Sequence, residues 1–164
     1  TALLAHTLRQ ARDPRWTTEL RITPDRALGD TLGGAGTAGF ARSPQGPGDL
    51  GRRLTRAVRG IRARQVVVIG TDAPDLSRAL IWRAFRALDR TPVVLGPARD
   101  GGFYLIGLRG AARLSPPFQD IRWSSAHTLT DVMAQLPDDR GIGHLPPLRD
   151  IDDAADWTAW KAGQ

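Results

Sequence analysis

One segment constrains the fold of this chain more than any other: Val66-Val67-Val68-Ile69, followed at once by Gly70, Thr71, Asp72 and Pro74. Four uninterrupted β-branched residues are what a strand buried on both faces looks like, and parallel sheets are built from such strands. Open α/β sheets hold their ligands just beyond the carboxyl ends of the strands, which is where Asp72 is expected. A second stretch repeats the theme. An apolar strand over Pro92 to Leu95 leads through Gly96-Pro97-Ala98-Arg99 to Asp100-Gly101-Gly102, and a third strand follows over Phe103 to Leu108. Two strands then deliver two aspartates to one sheet edge, a pattern suited to metal and phosphate chemistry.

The rest of the chain supplies helices between those strands. Residues Ala2 to Ala11 carry Leu4, Leu8 and Ala11 on one helical face, and Glu19 to Thr23 is a short strand stopped by Pro24. Gly29 to Gly39 reads as a loop; it lacks the Gly-Lys-Ser/Thr ending that gives a P-loop its chemistry. Asp49 caps a helix whose Leu50, Leu54, Ala57, Val58 and Ile61 recur at helical spacing, and Ser77 caps another with Leu80, Ile81, Ala84, Phe85 and Leu88. A helix is expected from Ser124 or Ser125 through Leu136, a weak strand near Ile142 to Leu145, and a short helix bearing Trp157 and Trp160. Strands alternating with helices make a three-layer α/β/α domain with a mostly parallel sheet. At 164 residues one such domain is the natural size.

Composition narrows the partners. The chain has no cysteine, which excludes disulfides and thiolate metal sites. No apolar run is long enough to span a bilayer and no signal peptide is visible, so no membrane partner is expected and a cytoplasmic location fits. The net charge is +6, and Lys161 is the single lysine among 23 basic residues. Guanidinium groups fork around phosphate oxygens, yet the arginines are spread along the whole sequence, as on solvated helix faces. General surface charge is therefore the expectation, and nucleic acid is not an expected partner.

Several groups carry chemistry by type and place. Asp72, beside a glycine that lets a ligand approach the backbone, suits a hard cation such as Mg²⁺ or Mn²⁺, which takes oxygen ligands and shares substrate phosphates; a helix cap or loop ion pair is the alternative. Asp150 and Asp152 flank Ile151, and in an extended segment residues two apart point the same way, so both carboxylates are placed to face one ion, Asp152 the better placed of the two; capping of a helix start is the alternative. Asp100 is suited to orienting or deprotonating a substrate hydroxyl, while Asp-Gly is equally a turn pair. Gln45-Gly46 stands before the helix start at Asp49, where an amide can read a base edge, and Arg53 in the first turn can meet a phosphate. A loop with a capped helix remains the other reading there. His6, His127 and His144 are scattered, and Ser124 and Ser125 lack a nucleophile elbow.

Taken in order, Gln45-Gly46, Gly48-Asp49-Leu50-Gly51, Arg53-Leu54, Ile69-Gly70-Thr71-Asp72 with Pro74, Gly96-Pro97-Ala98, Asp100-Gly101-Gly102, Tyr104-Leu105-Ile106-Gly107-Leu108, Trp123-Ser124 and Asp150-Ile151-Asp152 resemble the bacterial DUF2064 group of glycosyltransferase-like proteins. The resemblance implies the GT-A, Rossmann-like fold of nucleotide-diphospho-sugar transferases, shared with molybdenum-cofactor and phospholactate guanylyltransferases. It implies Mg²⁺ or Mn²⁺ held by Asp72, Asp150 and Asp152. It also implies a nucleotide contacted by Gln45, Gly46, Arg53 and Thr71, a catalytic Asp100, and an acceptor side lined by Gly101 and Gly102. The expected partners are a nucleotide sugar, or an NTP in the nucleotidyltransferase alternative, with a small-molecule acceptor. An inactive binding domain of the same fold is the third reading. Members of the group open with an apolar strand and a phosphate-holding loop. Nothing of the kind precedes Thr1, so one domain short of its first central strand is expected, with a sheet edge open to homodimerisation.

Overall fold

The computed structural model describes all residues except 1, 32, 33, 35, 137–140, 152–155, 157, 159, 161, 163 and 164. Helix α1 spans Ala2–Ala11, strand β1 Glu19–Ile22, and a single 3-10 turn Asp25–Gly29. Strand β2 covers Ala41–Pro44, α2 Leu50–Gly60, β3 Gln65–Ile69, α3 Arg78–Leu88, β4 Val93–Pro97 and β5 Phe103–Arg109. The short helix α4 (Ala111–Leu114), then α5 (Thr128–Ala134) and β6 (Ile142–His144) complete the order. Both expected caps are in place: the Asp49 side chain accepts from the Arg52 N–H, and the Ser77 side chain from the Leu80 N–H.

The main sheet has the order β3-β5-β4-β6, and β1 and β2 form a separate parallel pair. Strand β5 runs antiparallel to both β3 and β4, while β4 and β6 are parallel. Three of the four strands therefore share one direction and β5 alone is reversed. Side chains alternate between the two faces, as strand geometry requires. Val66, Val93, Leu95, Ile106 and Leu108 pack with Val58 of α2 and Val132 of α5 on one face. Val94, Leu105 and Tyr104 pack with Ile81, Ala84 and Leu88 of α3 on the other. Helix α1 lies beside α3: the Gln10 side chain accepts from the Arg78 N–H, and Trp16 stacks on Phe85 at 5.5 Å between ring centres. The result is the α/β/α layering expected from the pattern of elements.

Three local differences have physical causes. In β3 only Val66 is fully buried, because the outer edge of this strand has no strand partner among the described residues. Helix α5 starts at Thr128 rather than at Ser124 or Ser125. Ser124 has φ 53°, outside the helical region, and the Thr128 hydroxyl is occupied with the Arg122 and Ser125 carbonyls. Strand β2 pairs with β1 although Ala41-Arg42-Ser43-Pro44 has no apolar alternation to announce it. Of the short helix expected to bear Trp157 and Trp160, the residues Asp156, Thr158, Trp160 and Ala162 are helical, and Trp157 lies outside the described residues.

Candidate functional site

The site is built from the strand ends upward. Because β3 and β4 share a direction, their carboxyl ends open on the same edge, and both Asp72 and Asp100 lie just past it, exposed. A strap made of residues 148–151 connects the two ends. Leu148 pairs with Ala98 and exchanges backbone hydrogen bonds with the end of β4, its N–H donating 3.0 Å to the Pro97 carbonyl and its carbonyl accepting from Arg99 N–H at 3.0 Å. Three residues later the Ile151 N–H donates to the Asp72 carbonyl at 2.9 Å. Asp150, half-buried, is thereby delivered beside Asp72. Asp152 lies outside the described residues.

Gly70 shapes the Asp72 end. A Cβ built on it would stand 2.6 Å from Asp72 Oδ1, so the carboxylate occupies space that only glycine leaves open. Thr71 is exposed, and its carbonyl accepts from the Thr7 hydroxyl of α1 at 3.4 Å. Arg149 approaches Asp75 at 3.5 Å, and the Trp160 indole N–H donates to the same carboxylate at 2.7 Å. The carboxylates of Asp72 and Asp150 are hard oxygen donors, matched to Mg²⁺ or Mn²⁺, and the Gly70 cradle fits such a role. No cluster of three or more His, Cys, Asp or Glu that would hold a metal forms among the described residues.

The Asp100-Gly101-Gly102 turn is fixed by two sets of contacts. Asp100 Oδ1 accepts from the Gly102 N–H at 2.8 Å, which confirms a turn role while the side chain stays exposed. Gly101, at φ 92°, packs against the backbone of Ala126, and its carbonyl accepts from Leu129 N–H at 2.9 Å. The loop it meets is clamped by Arg122, which forms a bidentate pair with Asp131 at 2.7 and 2.9 Å. The Arg122 side-chain hydrogen bonds hold the Asp131 carboxyl at about 2, below the ordinary 3.8. A carboxyl depressed in the folded state adds stability that is complete above its unfolded value and is lost as pH falls through the folded one. Asp131→Asn is therefore expected to lower the melting temperature at pH 7, with the gap to the parent closing between about pH 4 and pH 2. Melting curves across that range check it, and a gap constant with pH would refute the assignment.

Gln45 and Gly46 form a second cluster, built on β2 and α2. The Gln45 N–H donates to the Ile22 carbonyl at 2.9 Å and its side-chain amide to the Arg21 carbonyl at 3.1 Å, which turns the amide oxygen into its available acceptor. Gly46, at φ 76°, donates its N–H to Asp25 at 3.0 Å. Arg53 is engaged with the Gly48 carbonyl (2.8 Å) and the Thr23 hydroxyl (3.4 Å), so it pins this loop. Arg56 bonds the Gln45 and Pro47 carbonyls. Sequence reasoning missed Asp25 and Arg56; the three-residue spacing of Arg53 and Arg56, one face of α2, was the available signal. No hydrogen bond or ion pair among the described residues joins this cluster to Asp72.

Comparison with known proteins bears on the family and the fold. The family model described as an uncharacterized protein conserved in bacteria (DUF2064) matches residues 6–125. A provisionally assigned nucleotide-diphospho-sugar transferase from Desulfovibrio desulfuricans G20 superposes with a TM-score of 0.80 at 26% identity, over 96% of this chain and 72% of that one. The fold is shared with the 4-diphosphocytidyl-2C-methyl-D-erythritol synthase of Anaerococcus prevotii DSM 20548 (TM-score 0.67, 12% identity, 98% and 85% covered). It is shared too with a homologue of Mycobacterium tuberculosis rv0371c from Mycobacterium sp. strain JC1 (0.63, 16%, 98% and 82%). No curated protein matches the chain.

Proposed function

The chain belongs to the DUF2064 family, and on that premise we propose that it is a metal-dependent transferase acting on a nucleotide-activated donor, a nucleotide sugar. The observation that carries this reading is the strap that brings Asp150 to Asp72 at the carboxyl ends of the strands through the Ile151–Asp72 hydrogen bond. The fold, shared with nucleotide-diphospho-sugar-transferase-like and nucleotidyltransferase-like proteins, supports a nucleotide-derived substrate.

In this scheme Asp72 and Asp150, with Asp152, would hold Mg²⁺ or Mn²⁺, and the ion would supply positive charge to a departing diphosphate. Gln45 and Gly46 contact the base, with Thr71 on the nucleotide side. Arg53 acts by holding the Gln45–Gly48 loop in shape. The exposed Asp100 takes the proton of an acceptor hydroxyl as that oxygen bonds to the donor's anomeric carbon. The bond from that carbon to the phosphate oxygen breaks, and its electrons leave with the nucleoside diphosphate. Gly101 and Gly102 line the acceptor side.

Thermal-shift titration with Mn²⁺ and a panel of nucleotide sugars and NTPs tests the scheme. A ligand at about 100 times its Kd stabilises the folded chain by about 2.7 kcal/mol, or about 5–10 °C for a domain of this size. A Mn²⁺-dependent rise with a nucleotide sugar is expected, and Asp72→Asn should abolish it. The unliganded melting temperature should hardly move, since Asp72 is exposed. A shift of equal size in the variant overturns the site. A shift confined to NTPs, with pyrophosphate released, replaces glycosyl transfer by nucleotidyl transfer.

A further inference from the structure

The fold gathers charges that the sequence spaces apart. Segments 2–16 and 78–90, which hold α1, α3 and their flanks, contain seven arginines against Asp13 and Asp89, a net charge of +5. These segments lie side by side in one helical layer: the Arg78 guanidinium donates to the Arg9 carbonyl at 3.2 Å and approaches Asp13 at 3.6 Å, and Arg15 lies over the Trp82 ring at 4.6 Å. Two grooves open on this layer. One, of about 460 Å³, is lined by Arg9, Arg12 and Arg78 with Gly34 and Gly36. The other, of about 330 Å³, is lined by Arg83, Arg86 and Arg90. Arg9, Arg83 and Arg90 form no ion pair among the described residues.

We propose that the α1–α3 face binds a phosphate ladder, the backbone of a nucleic-acid duplex. Asp13 faces Arg15 and Arg78 and Asp89 faces Arg86, which leaves Arg9, Arg83 and Arg90 for an outside anion, and a bidentate guanidinium is the group best matched to phosphate. Arg83 and Arg86 stand about one turn apart on α3 and Arg90 follows just past its end at Leu88, a spacing on the scale of successive phosphates of one duplex strand. The aromatics nearby are already occupied, Trp16 against Phe85 and Trp82 beneath Arg15. The face therefore lacks the open stacking platform that single-stranded binding uses. Among the described residues the exposed large apolar ones, Leu50 and Leu114, lie outside it, which disfavours a lipid surface as the partner.

Fluorescence anisotropy with a labelled 20-base-pair duplex, titrated from low to physiological salt, tests the proposal. Binding should weaken steeply with salt, and Arg83→Ala/Arg90→Ala should flatten the slope of log K against log salt by about 2, near 0.9 per lost phosphate contact. Arg62→Ala/Arg64→Ala removes the same charge from exposed positions on the α2–β3 connection and should leave the slope unchanged. Both pairs are exposed, and unchanged melting temperatures verify that each variant folds. Equal losses in the two pairs would mean diffuse charge and overturn the proposal. So would no duplex binding at 50 mM salt, or binding to anionic vesicles without binding to the duplex.

Discussion

Gly101→Ala is expected to lower stability by about 3 kcal/mol, the sum of a left-handed backbone strain and a backbone collision. For a domain of this length that is a fall of roughly 6–12 °C in melting temperature. The glycine has φ 92°, and an added Cβ would stand 2.5 Å from the Ala126 Cα. Neither contact belongs to a flexible side chain that can swing away. The collision pushes apart the Asp100 turn and the Arg122–Thr128 loop, which meet through the Leu129–Gly101 hydrogen bond, so displacement of the Asp100 turn should accompany the loss of stability. Gly29→Ala is the matched control: its Cβ would meet nothing within 4 Å, and it should leave the melting temperature within about 1 °C. Differential scanning fluorimetry of the two variants checks this, and an unshifted Gly101 variant would show that the two loops are not packed as described.

The second large effect is at Gly96 on β4. A Cβ there would stand 2.5 to 2.9 Å from three ring atoms of Tyr104, which is 1% exposed and has nowhere to go. Gly96→Ala should cost about 2–3 kcal/mol through overpacking. Burial also pushes the Tyr104 hydroxyl up to about 12, so it stays protonated and donates to the Pro146 carbonyl at 3.0 Å. Tyr104→Phe removes only that bond and should cost about 1 kcal/mol. Gly96→Ala combined with Tyr104→Leu should cost less than the two single changes added together, because a smaller side chain vacates the contested space. Urea denaturation of the four proteins measures the coupling; strict additivity would mean the ring and Gly96 do not press on one another.

Much of this architecture was legible before any coordinates. The valine run of β3, the caps at Asp49 and Ser77, and the helical spacing of Leu80, Ile81, Ala84 and Leu88 are local signals, and local physics honours them. The common edge shared by Asp72 and Asp100 was also readable, since each follows an apolar strand. Strand β2 was not, because Arg42 and Ser43 are held by long-range partners: Arg42 bonds the Asp30 carbonyl and Ser43 bonds Glu19. The late start of α5 was hidden for the same reason, being imposed by Arg122 reaching Asp131 nine residues on. At the candidate site, the pattern pointed to Asp72 with Asp150 and Asp152, of which Asp152 lies outside the described residues, and only the folded strap explains why Asp72 and Asp150, so far apart in sequence, arrive together. Gln45 was singled out for its residue type, whereas Arg56, which shapes its loop, is signalled only by its three-residue spacing from Arg53.

That strap has a consequence for how the protein comes into being. A ribosome adds about 5–20 residues per second, so Asp72 is made roughly 4–16 s before Ile151 exists to bond its carbonyl. Throughout that interval α2, β3, α3, β4 and β5 can assemble around their own core while the carboxyl edge stays without its crossing segment. The nascent chain thus has time to fold as a scaffold before the segment that joins the carboxyl ends of β3 and β4 arrives to cross them.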